Sequence, residues 1–452
     1  MATPTPTTPP DVALDAPSGA ARVPPTTTLR DLLRLLGGLT VGFARRPRDF
    51  SARVTFRDWA RGAMTRYGSD NLVLNLGISK LLLVGGRDLS RRILEPPPTT
   101  AGYSTGKLKR KGMAVLAPHA LTVSDDEQWV RLRPFNQAVL QAGRRHDLRS
   151  AFLPQIHRAF ATPPATIEDV RGAMRRAMLG IVVGVGAPSE LADDMQALFD
   201  LAQNPVKRLL LAPWAARRRA RLYRTLARLW RERAASGEPS LLGLAIKLAP
   251  DLPEQQLLEQ IPHWMFTFTG SGTDLLVRTV ALVTSHPAVL ESARREIAAA
   301  GLLERPEAID RLRFLEACLM EAAWLYPPVT RTFHCAKAGA IAGAVRIPAG
   351  TEILHSFPLL GDRAVSSPHR PSFTPERWTS AAGSPAAEFD PFLNGARHCP
   401  GRELILFVCT SALAILLGPQ RTIVDPPLAP AELPLEFPRR GIRFRQARGD
   451  AP

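Results

Sequence analysis

The chain has 452 residues with a formal net charge of +17, a hydrophobic content of 45 % and four cysteines. These values suit a globular protein held in a reducing compartment. They exclude a disulfide framework, since four cysteines in so long a chain are too few and show no paired metal-binding spacing, and no stretch reaches the ~20 apolar residues that would span a bilayer. Of the 58 basic residues, 51 are Arg. No zinc-finger spacing or aromatic-interleaved basic ribbon accompanies this charge, so it points to an acidic protein partner rather than nucleic acid.

Residues 1–27, rich in Pro and Thr, read as a disordered tail without the charged and apolar regions of a secretory signal. The pattern from 28 to 68 is helical. Within it LLRLLGGLTVGF (32–43) is the most apolar run, and the expectation is that it packs on the core. Residues 71–86, NLVLNLG followed by SKLLLVGG, alternate like two strands of a hairpin. A helix is expected over 88–95, then a long irregular loop over 96–122, a length that often accompanies a binding site. The acidic run Asp125, Asp126, Glu127 suits the start of a helix, and that helix carries Trp129 and Arg133 one turn apart on one face.

From 145 to 250 the sequence reads as helical and Arg-rich. In WAARRRARLYRTLARLWRERAA (214–235), Leu222, Leu226, Leu229 and Trp230 recur at helical spacing, with eight arginines on the remainder. This predicts a solvated helix, or one whose basic face meets an acidic carrier protein or a membrane surface. One long helix is expected over 254–285, stopped by His286-Pro287. A further helix, LEACLMEAAWLYPPV (315–329), ends at Pro327-Pro328. Then VRIPAGTEILHSF reads as a strand pair turning on Pro348-Ala349-Gly350.

The most informative stretch is PFLNGARHCPG (391–401). It has an apolar Phe392, a turn at Gly395, a cation at Arg397, Cys399, and then Pro400 and Gly401 before an apolar helix. Phe392, Gly395, Arg397, Cys399 and Gly401 match each fixed position of FxxGxRxCxG, and in this the chain resembles the cytochrome P-450 family of haem-thiolate monooxygenases. The resemblance extends in the order of its parts from about residue 28 to 446. It implies a mainly α fold with a minor β-sheet, a single haem domain over 28–452, and haem b bound through Cys399 as the axial metal ligand. It also implies that Trp129, Arg133, Arg397 and His334 contact the haem propionates.

Two departures from the family pattern accompany the match. On the distal helix, the positions of the usual acid and Thr hold Gly270 and Ser271. Ser271 can supply a hydroxyl, Gly270 and Gly272 can let the helix open locally, and Asp274 can replace the acid only if the helix is distorted. In the ExxR helix, Glu321 is present but Trp324 stands where Arg is expected. Arg377, in PSFTPERW, matches the second arginine of that network, and the Trp324 indole is expected to stack on it.

The resemblance implies a cytoplasmic, monomeric oxygen-inserting or oxidative-coupling enzyme acting on an apolar or amphipathic small molecule of bacterial secondary metabolism. Electrons would come from a ferredoxin or flavodoxin. The substitutions at Gly270 and Trp324 leave two other readings, a peroxide-using peroxygenase and a haem-binding scaffold that recruits a partner.

Overall fold

The computed structural model describes residues 21–45, 52–76, 79–249, 251–360, 372–379 and 390–447. Most of the chain is helical, as expected. Its strands are β1 (Asn71–Asn75), β2 (Lys80–Val84), β3 (Ser104–Thr105), β4 (Arg331–Ala336), β5 (Ala340–Ala342), β6 (Val345–Ile347), β7 (Thr351–Ser356), β8 (Thr422–Asp425) and β9 (Arg443–Gln446). Five of them form one sheet in the order β1-β2-β7-β4-β3, while β5-β6 and β8-β9 are separate pairs. The β1-β2 hairpin forms as its alternation predicts, with Leu72 opposite Leu83.

The strand pair expected around Pro348-Ala349-Gly350 does not form. There β6 pairs with β5, and β7 leaves to lie between β2, to which it is parallel, and β4. Gly350, at φ +76, makes the change of direction. β7 is buried along nearly its whole length, which is why a sheet centre outcompetes a local hairpin for it.

The innermost helix is Arg402–Leu417, buried continuously from Leu404 to Leu417. Its sequence is apolar on all sides, and such a helix is stable only when surrounded. It packs against the helices Arg149–Ala159, Thr273–Ser285 and Arg313–Leu325. Each fully buried Leu there contributes on the order of 2 kcal/mol, so the loop that precedes this helix is attached to a continuously buried element.

Four further expectations are corrected. Residues 21–27 belong to the fold rather than the tail, because Arg22 bridges to Val345 and Thr26 to Val73; residues 1–20 lie outside the described residues. The apolar run 32–43 is only partly covered, for Leu33 and Leu36 are 58 % and 57 % exposed. The loop 96–122 contains the helix Lys107–Met113. The single helix over 254–285 is four segments: Glu254–Leu258, Gln260–Thr267, a π-helical turn at Phe268–Gly272, and Thr273–Ser285. Among the described residues no helix is long and apolar enough to cross a membrane.

Candidate functional site: the Cys399 loop and the helix facing it

The Cys399 loop is shaped by backbone bonds within itself and to residues some three hundred positions earlier. Cys399 N–H donates to Phe392 O at 2.8 Å, His398 N–H to Gly395 O at 3.1 Å, and Ala396 N–H to Glu95 O at 2.8 Å. Gly395 sits at φ +67, and a Cβ there would come within 2.7 Å of both Glu95 Cα and Glu95 O. The position therefore requires glycine on two counts, backbone conformation and space. Gly395→Ala is expected to cost about 2 kcal/mol or more and to displace Cys399, read as a lowered thermal midpoint together with reduced haem retention.

Arg397 is the tie between this loop and the sheet. Its guanidinium donates to Pro96 O at 3.1 Å, Tyr103 O at 2.6 Å and His334 Nδ1 at 2.7 Å. Accepting at Nδ1 assigns the His334 proton to Nε2, which is buried with no partner among the described residues. His334 also meets His355 edge-on at 5.0 Å. Burial keeps both imidazoles neutral, His334 well below its ordinary pKa and His355 at about 3. Arg133 lies over Trp129 at 6.0 Å and donates to His398 O at 2.6 Å, while its buried Nε has no partner. Burial pushes the Cys399 thiol above its ordinary pKa, and the Gly401 N–H and the Arg133 charge oppose that shift.

Beneath the loop, the carboxylate of Glu321 has an exposure of 0 %. Arg377 reaches it at 3.2 Å, Trp378 Nε1 donates at 2.7 Å and Thr374 N–H at 3.1 Å. The Arg377 guanidinium stacks on Trp324 at 5.0 Å. An indole N–H and a cation held on an aromatic face thus replace the cation missing at position 324. Burial still dominates, raising the Glu321 pKa to about 7.

The facing helix opens at the π turn Phe268–Gly272. A Cβ on Gly270 would meet nothing within 4 Å, so that residue fronts open space. Gly272 is the reverse case, with Ile405 Cδ1 2.6 Å from where its Cβ would be. The hydroxyls of Thr269, Ser271 and Thr273 all turn back to carbonyls four residues earlier, Ser271 Oγ to Thr267 O at 2.5 Å. Such bonds bend helices. Asp274 is bound at 3.1 Å to Arg278 and also to Arg439. The helix is distorted as a role for Asp274 requires, but its carboxylate is committed to these two arginines.

Sequence reasoning brought together Cys399, Gly401, Arg397, His334, Arg133, Trp129, Glu321 and Arg377. It missed Trp378, although this residue adjoins Arg377, and it missed the buried His355.

The donor set fits a haem. A thiolate source stands at the start of a buried helix, and unpartnered buried N–H groups of His334 and Arg133 await acceptors of the kind propionates supply. The Gly401 position is close-packed, since a Cβ there would stand 3.0 Å from the Phe268 ring.

Comparison with known proteins agrees. Residues 263–417 match the family model described as Cytochrome P450. Cytochrome P450 734A4 of Oryza sativa subsp. japonica is 30 % identical over 47 % of this chain and 43 % of that protein. Cytochrome P450 26B1 of Danio rerio is 22 % identical over 66 % of each. The matched stretch thus spans less than half of the rice relative. Among solved structures, the retinoic acid-bound cyanobacterial CYP120A1 superposes with a TM-score of 0.69 at 20 % identity, covering 94 % of this chain and 99 % of that one. That family and fold bind haem, iron protoporphyrin IX, through a cysteine thiolate, and with the loop, the buried helix behind it and the carboxylate network in place, this chain has the cytochrome P450 fold and matches the family model over residues 263–417.

Proposed function

We propose that the protein is a haem-thiolate monooxygenase that oxidises an apolar or amphipathic small molecule with electrons from a separate ferredoxin or flavodoxin. The observation that carries this reading is the Cys399 loop, held by Phe392 O, Glu95 O and the Arg397 bonds in one conformation at the end of a fully buried helix. Haem bound there would supply oxygen activation, with thiolate donation favouring O–O cleavage. Cys399 would hold the iron, and the Gly401 N–H would temper the charge on sulfur. His334 Nε2–H, Arg397 and Arg133 would hold the propionates, and Trp129 would keep Arg133 in place. The basic charge of the chain would steer an acidic electron donor.

A second reading, peroxide-driven turnover, has its own observation. Among the described residues at the π turn, the Ser271 hydroxyl is spent on Thr267 O, Gly270 carries no acid and Asp274 is ion-paired. No carboxylic acid stands ready there to move protons toward bound oxygen. The reduced, carbon monoxide-treated protein is expected to show the strongly red-shifted Soret band of thiolate-bound haem, and its absence in fully haem-loaded protein would reject both readings. Turnover with a surrogate ferredoxin system, compared with turnover on hydrogen peroxide, separates them.

A further inference from the structure

The helix Leu29–Arg45 is pinned to the fold by one side. Asp31 accepts from Tyr67 Oη at 2.6 Å and from Arg66 at 2.9 Å, and its carbonyl accepts from Trp59 Nε1 at 2.8 Å, which fixes this helix on the helix Ala52–Tyr67. Leu29, Leu33, Leu36 and Phe43 fall at i, i+4, i+7 and i+14 on the other side, and all four are exposed. A second apolar cluster is exposed where the helix Pro205–Leu210 runs into Ala212–Ser236. There Leu209 is 80 % and Leu210 72 % exposed, and Val206, Leu211 and Trp214 are exposed with them. Single exposed apolar side chains are ordinary, whereas clusters of this kind mark a surface that something covers.

The two clusters border one cavity. The helix Lys107–Met113 abuts the second of them: a Cβ on Gly112 would stand 3.8 Å from Arg208 Nη1, and Arg219 donates to Ala114 O at 2.7 Å. From that helix the exposed Leu108 lines a cavity of about 530 Å³. Ala52, Val54 and Phe56 line it too, and they lie in the first turns of the helix on which Leu29–Arg45 is fixed.

The exposed charge beside these clusters has one sign. Arg30 and Arg34, Lys107 and Lys111, and Lys207 and Arg217 are all exposed. The one acid within residues 29–45 is the buried Asp31, and residues 106–112 and 203–231 contain none. Leucines on one helix face with cations alongside are the pattern of a helix that rests in a lipid interface and is drawn there by anionic headgroups. A second copy of the chain fits this face poorly, because a two-fold interface would press the cations against their own counterparts.

We propose that this face binds the surface of a bilayer that contains anionic lipid. Leu33, Leu36, Leu209 and Leu210 enter the acyl boundary, the cations lie at the headgroups, and the cavity opens toward the lipid. The chain lies on the membrane in this arrangement and does not cross it. The binding does not depend on the oxygenase reading.

Sedimentation of the full chain with vesicles of phosphatidylcholine, alone or with about 30 % phosphatidylglycerol, tests the proposal without turnover. Partition into the anionic vesicles is expected to be at least about tenfold stronger, and to fall about tenfold between about 0.1 and about 0.5 M salt. Leu33→Ser with Leu36→Ser, and separately Leu209→Ser with Leu210→Ser, are each expected to weaken it about tenfold. Their circular dichroism should be unchanged, because these side chains are exposed. Lys111→Gln with Lys207→Gln is expected to lower binding to anionic vesicles about fivefold and to leave neutral vesicles unaffected. Equal partition into both vesicle types, partition into neither, or leucine variants that bind as the original chain does would overturn the proposal. So would a dimer, seen by light scattering, that is lost with Leu33→Ser and Leu36→Ser while vesicles bind neither form, since the face would then belong to a second copy.

Discussion

Replacing Cys399 by serine is expected to abolish the red-shifted Soret band of the reduced, carbon monoxide-treated protein and to lower monooxygenase turnover at least about a thousandfold, equivalent to some 4 kcal/mol of barrier. Serine is nearly isosteric, so the loop has no reason to refold. Its shape comes from the Cys399 N–H bond to Phe392 O, the Ala396 bond to Glu95 O and the Arg397 bonds, none of which uses the sulfur. What changes is the donor atom. A neutral hydroxyl is a far poorer electron donor than a thiolate, and that donation favours O–O cleavage. Thermal stability without haem should shift by less than about 1 kcal/mol. A Cys399→Ser protein that kept both the band and the activity would move the ligand elsewhere and sink the central assignment.

The second large effect is expected at the Glu321 network. In the folded protein the Glu321 pKa is about 7 against an ordinary 4.5, and burial is the leading cause. The folded state therefore binds this proton more tightly than the unfolded state. Stability from this group is fully present below about pH 4.5 and is lost as pH rises through 7, on the order of 3 kcal/mol across that window. Glu321→Gln, which stays uncharged, is expected to flatten this part of the stability–pH curve, measured by denaturant unfolding at pH 5 and pH 8. Arg377→Ala removes the cation that opposes the shift and uncovers the Trp324 face. Its cost is expected to be about 2 kcal/mol near neutral pH and larger at pH 8. The value lies below the 3–5 kcal/mol of a broken buried pair because Glu321 can take up a proton instead. Haem retention after dialysis should fall with it. An Arg377→Ala protein with unchanged stability at pH 8 and unchanged haem retention would show that Trp378 and Thr374 suffice.

The chemistry of the site was legible in the sequence where it depends on near neighbours. Gly395 announces a backbone turn, Pro400 and Gly401 a helix start, and the spacing of Trp129 and Arg133 one shared face. The glycines around Ser271 announced a helix that can open, and the π turn lies there. Pairing across long separations was less legible. Nothing local marks Trp378 as the donor that stands in for a missing arginine, or Arg439 as the partner of Asp274.

Local sequence is enough to specify the Cys399 loop, the helix stops at Pro287 and Pro327, and the β1-β2 hairpin. Those features depend on φ preferences and periodicity, which act over a few residues. Long-range packing selects β2 and β4 rather than β6 as the neighbours of β7, satisfies Glu321 with an indole N–H and a stacked guanidinium, and commits Asp274 to Arg278 and Arg439. In each case several partners are chemically equivalent along the chain, and burial selects the one that leaves no charge or N–H stranded.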